Sequence, residues 1–345
     1  MLICGDPLAM PAPHLVFVLP GLLEVSAAGR APALARALVA GGAPRREPDG
    51  LAPVLAPLYG VERQRDWPFA AIRVASLGID PGTDYWLAAD PIQLVAGHDD
   101  LQLASVVGDL AAGDAHAFVA MLNAHFASDG LAFVAPRPGD WFIRTPVAQD
   151  LVTHPLDVAI GHTLHALLPS GNDAARWRRW LNEIQMLLHE HPVNAAREST
   201  GRPPANSVWI WGGGRRPASG TAKVATYAEG GIAEALAAHI GAPARPRPPA
   251  LATVMADAPQ FDTALIAFEH GVDPATLEGD WSAPAWTALA RERIASLTVI
   301  GSGSDGALAW KMPRPSLWQR LGIRARTPEL ANVLASARNT FHDER

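Results

Sequence analysis

The chain has 345 residues, a formal net charge of −6, and 49% hydrophobic against 18% charged residues. This length and composition predict a globular protein with one large or two modest domains, and they exclude a disordered chain. An acidic balance without a long basic run argues against a nucleic-acid partner, which needs a clustered positive surface. The single cysteine, Cys4, excludes an intrachain disulfide framework and a zinc site built on several thiolates.

The apolar N-terminal stretch does not read as a signal peptide. No Lys or Arg precedes Arg30, and Pro20 and Gly21 interrupt the apolar run. No segment of the chain reaches the roughly 18 consecutive apolar residues of a membrane-spanning helix. We therefore expect a soluble, cytoplasmic protein with no membrane partner.

The first hundred residues alternate between a strand and helices. "HLVFVLPG" (14–21) is a continuous apolar run ending in Pro-Gly, which predicts a buried strand that enters a loop. Residues 30–42 predict a helix with Pro32 near its start and Gly41 at its end. Residues 67–79 predict a second helix, and "DYWLAADPIQLV" opens a less regular region.

The middle of the chain has a mixed pattern. "DAHAFVAMLNAHFA", "DVAIGHTLHALL" and "NDAARWRRWLNEIQMLLHE" predict helices, the last of which ends at Pro192. "LAFVAPRPGDWFIRT" predicts two strands around a turn, and "NSVWIWGGG" predicts a strand that runs into a glycine loop.

The C-terminal part returns to alternating elements. It contains, in order, the helix "GGIAEALAAHIG", the strand "FDTALIAFEHG", the helix "APAWTALARERIA" and the strand "SLTVIGSGSDG". Strands that alternate with helices at both ends of the chain predict a parallel α/β sheet. We expect residues 1–89 and 201–345 to form this discontinuous domain, and residues 90–200 to form an inserted α+β domain.

Three stretches resemble archaeal-type, cofactor-independent phosphoglycerate mutases of the alkaline phosphatase superfamily. They are "VASLGIDPGTDYWLAADPIQLVAGHDDLQLA", the pair "FDTALIAFEHGVDPATLEGDW" and "LTVIGSGSDG", and "LLHEHPVNAARESTGRPPANSVWIWGGG". The last is the most specific, because it is similar to the mutase pattern His-Pro-(Val/Ile)-Asn-x-x-Arg-x-x-x-Gly-x-x-Pro-Ala-Asn. The chain resembles more closely still a degenerate bacterial offshoot of these enzymes, the RpfE-type regulatory proteins. The resemblance implies a three-layer, alkaline-phosphatase-like parallel sheet domain with an inserted α+β domain.

The departures from the mutase pattern concern the chemistry itself. The resemblance implies two divalent metals, held by Asp and His, beside a Ser or Thr nucleophile. Pro20 stands where the first metal strand should end in Asp-Gly, and Phe69 falls at the nucleophile position. Proline offers no ligand atom and phenylalanine cannot attack phosphorus, so two-metal phosphoryl transfer is not expected. The remaining weak candidates for metal ligands are Glu269, His270, Asp273 and Asp305.

The retained middle segment offers a metal-free binding site as a hypothesis. Backbone N–H groups of a glycine loop and nearby arginine and asparagine side chains can bind a small anion. The candidate residues are His189, His191, Asn194, Arg197, Asn206, Gly212, Gly213, Gly214 and Arg215. The alternative is that the glycines and asparagines only make turns and that the histidines suit a helix C-terminus.

Two functions follow from these observations. The first is a non-catalytic protein with a binding or regulatory role, no cofactor, and an unknown small anionic ligand or protein partner. The second is an active phosphoglycerate mutase or phosphatase that uses displaced ligands for manganese or zinc.

Overall fold

The computed structural model describes residues 12–24, 31–97, 100–303, 306–313 and 328–339. The chain divides into two compact units. The split unit comprises Met1–Leu51 and Thr221–Arg345, and the continuous unit comprises Ala52–Gly220.

The split unit contains a six-stranded sheet with the order β2-β11-β10-β1-β9-β8. Its strands are β1 (His14–Leu19), β2 (Arg45–Glu47), β8 (Val224–Tyr227), β9 (Thr263–Ala267), β10 (Ser296–Gly303) and β11 (Gly306–Met312). β10, β1, β9 and β8 run parallel, whereas at one edge β11 pairs antiparallel both with β10 and with β2. The predicted parallel α/β sheet is therefore confirmed.

Apolar runs and short helices build the core of the split unit. The helices are α1 (Pro32–Gly41), α8 (Gly231–His239), α9 (Leu251–Ala256), α10 (Pro274–Thr276), a π-helix (Leu277–Ser282), α11 (Ala283–Ala290) and α12 (Leu330–Asn339). Five of the six residues of β1 are buried, as expected for a strand covered on both faces. Phe17 packs edge-on against Phe268 and Trp281, with ring centroids 5.5 and 6.1 Å away.

The continuous unit contains a five-stranded antiparallel sheet centred on one long strand. Its strands are β3 (Tyr85–Ala96), β4 (Leu101–Val106), β5 (Ala132–Arg137), β6 (Asp140–Thr145) and β7 (Ser207–Gly214). β3 pairs with β4 and β6, and it also pairs with β7.

Helices of the continuous unit complete its core. They are α2 (Leu51–Leu55), α3 (Phe69–Ser76), α4 (Ala112–Phe126), α5 (Leu156–Ala159), α6 (Ala174–His189) and α7 (Pro192–Ser199). Side chains alternate along β7, so Val208 and Ile210 join a core with α4 and α6, while Trp211 lies near Phe69 of α3. Within the described ranges, no helix has the length and apolar character needed to cross a membrane.

Three local predictions are wrong. The segment after residue 84 is the twelve-residue strand β3, whose pairing shifts register once against β4 and once against β7, and most of its residues are buried. Residues 157–168 form only the end of α5, turns and a 3-10 turn at His165–Leu167. Gly212–Gly214 are the last residues of β7 and not a loop after it.

The unit limits differ from those we expected. β7 pairs with β3 from Trp86 to Ile92, so residues 201–220 lie in the same compact unit as β3. The expected limit at residue 89 falls inside β3.

Candidate functional site

The His-Pro-Val-Asn segment forms the junction between α6 and α7. His191 is the N-cap of α7, where its Nδ1 accepts a hydrogen bond from the Val193 N–H at 3.2 Å, and Pro192 takes the first helical position. The imidazole packs on the Phe118 ring, 4.6 Å between centroids. Partial burial lowers the pKa of His191, which favours the neutral ring that an accepting nitrogen requires. His189 is exposed in the last turn of α6, where a histidine suits the helix dipole.

The Asn194 side chain hydrogen-bonds the start of α7 to the segment that precedes β7. Its Nδ2 donates to the carbonyls of Leu188 (2.7 Å) and Ala205 (3.0 Å), and its Oδ1 accepts from the Ala205 N–H (2.9 Å). Asn194 is only 2% exposed, so these bonds are shielded from water. Both ends of the amide are used inside the protein.

Arg197, one turn later on α7, is also enclosed, with 1% exposure. Its Nε donates to the Pro203 carbonyl at 2.9 Å, and its Nη2 donates to the Asp109 carboxylate at 2.5 Å. The hydrogen bond from Arg197 lowers the pKa of Asp109. Nη1 is buried and, within the described residues, has no hydrogen-bond partner.

Asn206 completes a set of buried or half-buried polar contacts that we call the clamp, formed by His191, Asn194, Arg197 and Asn206. The Asn206 side chain accepts from the Leu94 N–H (2.7 Å) and donates to the Leu94 carbonyl (2.9 Å), which extends the pairing of β7 with β3. Every clamp residue bonds to backbone or to a neighbouring carboxylate. The segment that carries the most specific resemblance therefore has a structural role in the continuous unit.

The three glycines at the far end of β7 meet close neighbours. Gly212 donates its N–H to Thr153 Oγ1 at 3.0 Å, and Gly213 donates to Asp66 Oδ2 at 3.4 Å. A Cβ on Gly213 would overlap the Tyr85 hydroxyl, and one on Gly214 would overlap Pro68. Glycine is needed at these positions because neighbouring residues pack directly against the backbone of β7, where a Cβ atom would collide with them.

Arg215 follows the glycines and is tied to nearby backbone. Its guanidinium donates to the carbonyls of Thr83 and Pro146, and its N–H donates to Gln64 Oε1 at 3.1 Å. Gly212 lies six positions after Asn206 along an extended strand, a distance of about 20 Å. The structure therefore places the predicted anion-site residues at two ends of β7 and does not bring them into one pocket.

Two groups of buried polar residues were not predicted from the sequence. The first is centred on Arg73, whose guanidinium donates two hydrogen bonds to the Asp90 carboxylate (2.9 and 3.0 Å) and one to Asp140 (2.8 Å). Trp211 Nε1 also donates to Asp90, at 2.6 Å. The Arg73 guanidinium also lies over the Trp211 ring, 5.1 Å from its centroid. This network leaves Asp90 fully paired and joins α3 to the sheet.

The second group is centred on Asp66. Its carboxylate accepts from the Thr153 hydroxyl (2.5 Å) and from the Thr153 and Trp67 N–H groups. Burial raises the pKa of Asp66 although these hydrogen bonds lower it. An acidic residue just before α3 is a local signal for a capping role. Its partners Thr153 and Gly213 are distant in sequence, so no local pattern predicts these contacts.

The candidate metal ligands lie in the split unit after β9. Asp273 caps α10, where its Oδ2 accepts from the Thr276 N–H and hydroxyl at 2.9 Å, and these bonds lower its pKa. His270 Nε2 lies 3.9 Å from Glu24 Oε2, and both side chains are at least half exposed. Glu269 is exposed, and Asp305 lies outside the described residues.

The three of these groups that the structure describes do not supply the ligand set of a two-metal centre. Across the described ranges, no group of three or more His, Cys, Asp or Glu side chains is arranged to hold a metal ion. Pro20 follows β1, the strand at which the resemblance implies an aspartate. Proline brings no donor atom to that position.

Phe69 occupies the position at which the resemblance implies the nucleophile. It is the first residue of α3 and is fully buried. Its ring stacks on Trp67, 5.7 Å between centroids and 11° between planes, and lies 6.1 Å from the Trp211 ring. The position is filled by aromatic packing in the continuous unit.

Comparisons with known proteins relate the chain to cofactor-independent phosphoglycerate mutases of the alkaline phosphatase superfamily, through partial matches of low identity. A 2,3-bisphosphoglycerate-independent phosphoglycerate mutase from Methanosarcina barkeri is 28% identical over 116 residues, which cover 32% of this chain and 28% of the relative. Its counterpart from Methanosarcina mazei is 26% identical over 158 residues, covering 43% and 37%. These matches thus span well under half of each relative.

A solved structure gives a similarly distant match. A cofactor-independent phosphoglycerate mutase from Thermoplasma acidophilum aligns over 95% of this chain and 99% of its own, with 15% identity and a TM-score of 0.41. No protein-family model matches the chain.

Proposed function

We propose that this chain is a non-catalytic relative of the phosphoglycerate mutases that has a binding or regulatory role. The narrower assignment to the RpfE-type regulatory proteins is part of the same proposal and rests on the resemblance of residues 187–214. A cytoplasmic location and the absence of a nucleic-acid partner stay predictions.

The observation that carries the proposal is the environment of Phe69. A nucleophile for phosphoryl transfer must be exposed to substrate and bear an oxygen or another attacking atom. Phe69 is fully buried and its ring packs between Trp67 and Trp211. Restoring a hydroxyl at this position would leave it inside an apolar cluster.

The residues near the ends of β1 and β9 support the same conclusion. A two-metal site lowers the pKa of the nucleophile and holds the leaving oxygen, and it needs several anionic or imidazole ligands. Pro20 offers none, and Asp273 is engaged by Thr276. Loss of such groups together typically removes about four orders of magnitude or more of the rate.

One specific observation favours the second candidate function, an active metal-dependent mutase or phosphatase. Glu24 and His270 follow the adjacent strands β1 and β9, and their side chains approach to 3.9 Å. A carboxylate and an imidazole suit zinc or manganese. Two ligands hold an ion weakly, and so this candidate predicts low affinity and low activity.

An assay with 3-phosphoglycerate and with an aryl phosphate, each with added manganese or zinc, separates the two functions. We expect no turnover above a buffer control, with a cofactor-independent phosphoglycerate mutase as the positive control. Turnover that survives purification and is lost in Glu24→Gln and His270→Ala would overturn the proposal and favour the second function. The variant Phe69→Ser is expected to stay inactive, and Phe69→Leu is its matched control for packing.

A further inference from the structure

The continuous unit has a small, partly open cavity that the clamp and the buried polar groups do not use. Its volume is about 140 Å³, and it lies among β3, β7, α6 and the segment 164–169. Aliphatic side chains form most of its wall, including Ile92, Leu94, Leu181 and Val208. The cavity is comparable in size to an engineered apolar cavity of about 150 Å³ that admits benzene.

Three polar side chains line this cavity with unused hydrogen-bonding capacity. Asn182 and Gln185 are three residues apart on α6 and therefore share one face, and Ser207 opens β7. Within the part of the chain that the structure describes, no residue is hydrogen-bonded to any of these three side chains. Ser207 is only 4% exposed, so its hydroxyl gains from a partner inside the cavity.

The charge around the cavity selects against an anion. Asp100 is the carboxylate in the wall, where its oxygens accept from the Leu101 N–H (2.7 Å) and the His165 N–H (3.1 Å). No Lys or Arg is among the lining residues. A negative ligand would be repelled by this carboxylate, and the wall offers a histidine, His165, but no permanent cation to offset the repulsion.

We propose that this cavity is a binding site for a small neutral molecule. The ligand has an apolar ring or branched chain of about six to ten non-hydrogen atoms, given the size of the cavity. It also carries an amide or a hydroxyl group. The apolar body lies against Leu94 and Leu181, and its polar group bonds with Asn182, Gln185 and Ser207. Apolar walls with a few convergent polar groups are the usual composition of small-molecule sites.

The site is independent of the proposed loss of phosphoryl transfer, because its residues lie outside the positions that the mutase resemblance assigns to metal and nucleophile. An active enzyme and a non-catalytic protein would both retain it. Failure of one proposal therefore leaves the other standing.

The test is ligand-observed NMR on the full chain with benzamide, benzyl alcohol and isovaleramide, and with benzoate as the matched anion. We expect at least one neutral probe to bind, and benzamide to bind at least tenfold more tightly than benzoate. The double variant Asn182→Leu and Gln185→Leu is expected to weaken benzamide about fivefold or more, since the loss of even one hydrogen bond costs about 1 kcal/mol.

Two further variants make the result specific to the cavity. Leu181→Trp, at a half-buried position on α6, fills the space and is expected to abolish binding, with its fold checked by circular dichroism. Met186→Leu is exposed on the same helix outside the cavity and is expected to bind as wild type does. Failure of all three neutral probes, unchanged binding to a folded Leu181→Trp, or equal binding of benzoate and benzamide would overturn the proposal.

Discussion

The substitution Asn194→Ala tests whether the most specific motif of the chain is a structural clamp. Its side chain serves the N–H and the carbonyl of Ala205, a fully buried residue, and the carbonyl of Leu188. The Leu188 carbonyl keeps a second donor, the His191 N–H at 3.2 Å. The variant thus leaves two buried backbone groups of Ala205 without a partner.

The expected loss of stability follows from those two groups. Each buried polar group left unpaired costs about 1–3 kcal/mol, so we expect the free energy of unfolding to fall by about 2–6 kcal/mol. Asn194→Asp, which keeps the shape but turns two donors into acceptors, is expected to lose at least as much. An anion ligand alone would predict little change in the stability of the free protein.

Denaturant unfolding followed by tryptophan fluorescence measures this loss, because most of the 11 tryptophans lie in the continuous unit. Asn182→Ala is the matched control, since Asn182 is exposed on α6 and its change is expected to stay within about 0.5 kcal/mol. If Asn194→Ala unfolds at the same denaturant concentration as Asn182→Ala, the clamp interpretation is refuted.

Three further predictions use the same unfolding measurement. Burial lowers the pKa of His191 in the folded protein below its ordinary 6.5. The stabilising contribution of the neutral ring is therefore complete above pH 6.5 and is lost as the pH falls through the folded pKa. His191→Asn, which keeps a capping acceptor, should remove this pH dependence of the unfolding free energy. Arg197→Lys should cost about 2–3 kcal/mol, because an ammonium group cannot reproduce the two directed bonds of the guanidinium; a wild-type midpoint would contradict this. Gly213→Ala should cost about 1–3 kcal/mol through overlap with the Tyr85 hydroxyl. Adding Tyr85→Phe should recover part of the lost unfolding free energy. If none is recovered, overlap with the Tyr85 hydroxyl is not the cause of the loss.

The parallel sheet of the split unit was predictable from sequence because its strands are continuous apolar runs. β1 and β10 are buried along most of their length, and each run stands between turn residues and helices. The short strands β2 and β8 have too few residues to carry a pattern. Their pairing depends on neighbours distant in the chain.

The roles of the motif residues were not predictable in the same way. Asparagine, arginine and glycine after a strand fit an anion site and a set of backbone contacts equally well from sequence alone. The distinction lies in their partners: Arg197 meets Asp109 and Asn206 meets Leu94, each about a hundred residues earlier in the chain. Similarly, the triple glycine is needed because Tyr85 and Pro68 approach β7, which no local pattern encodes.

The central claim is that this chain lacks the two-metal chemistry of its phosphoglycerate mutase relatives. Elemental analysis of protein purified from manganese- and zinc-supplemented medium tests it most directly, because the ions are indispensable to that mechanism. We expect a metal content well below one ion per chain after gel filtration. One or two tightly held ions per chain would contradict it.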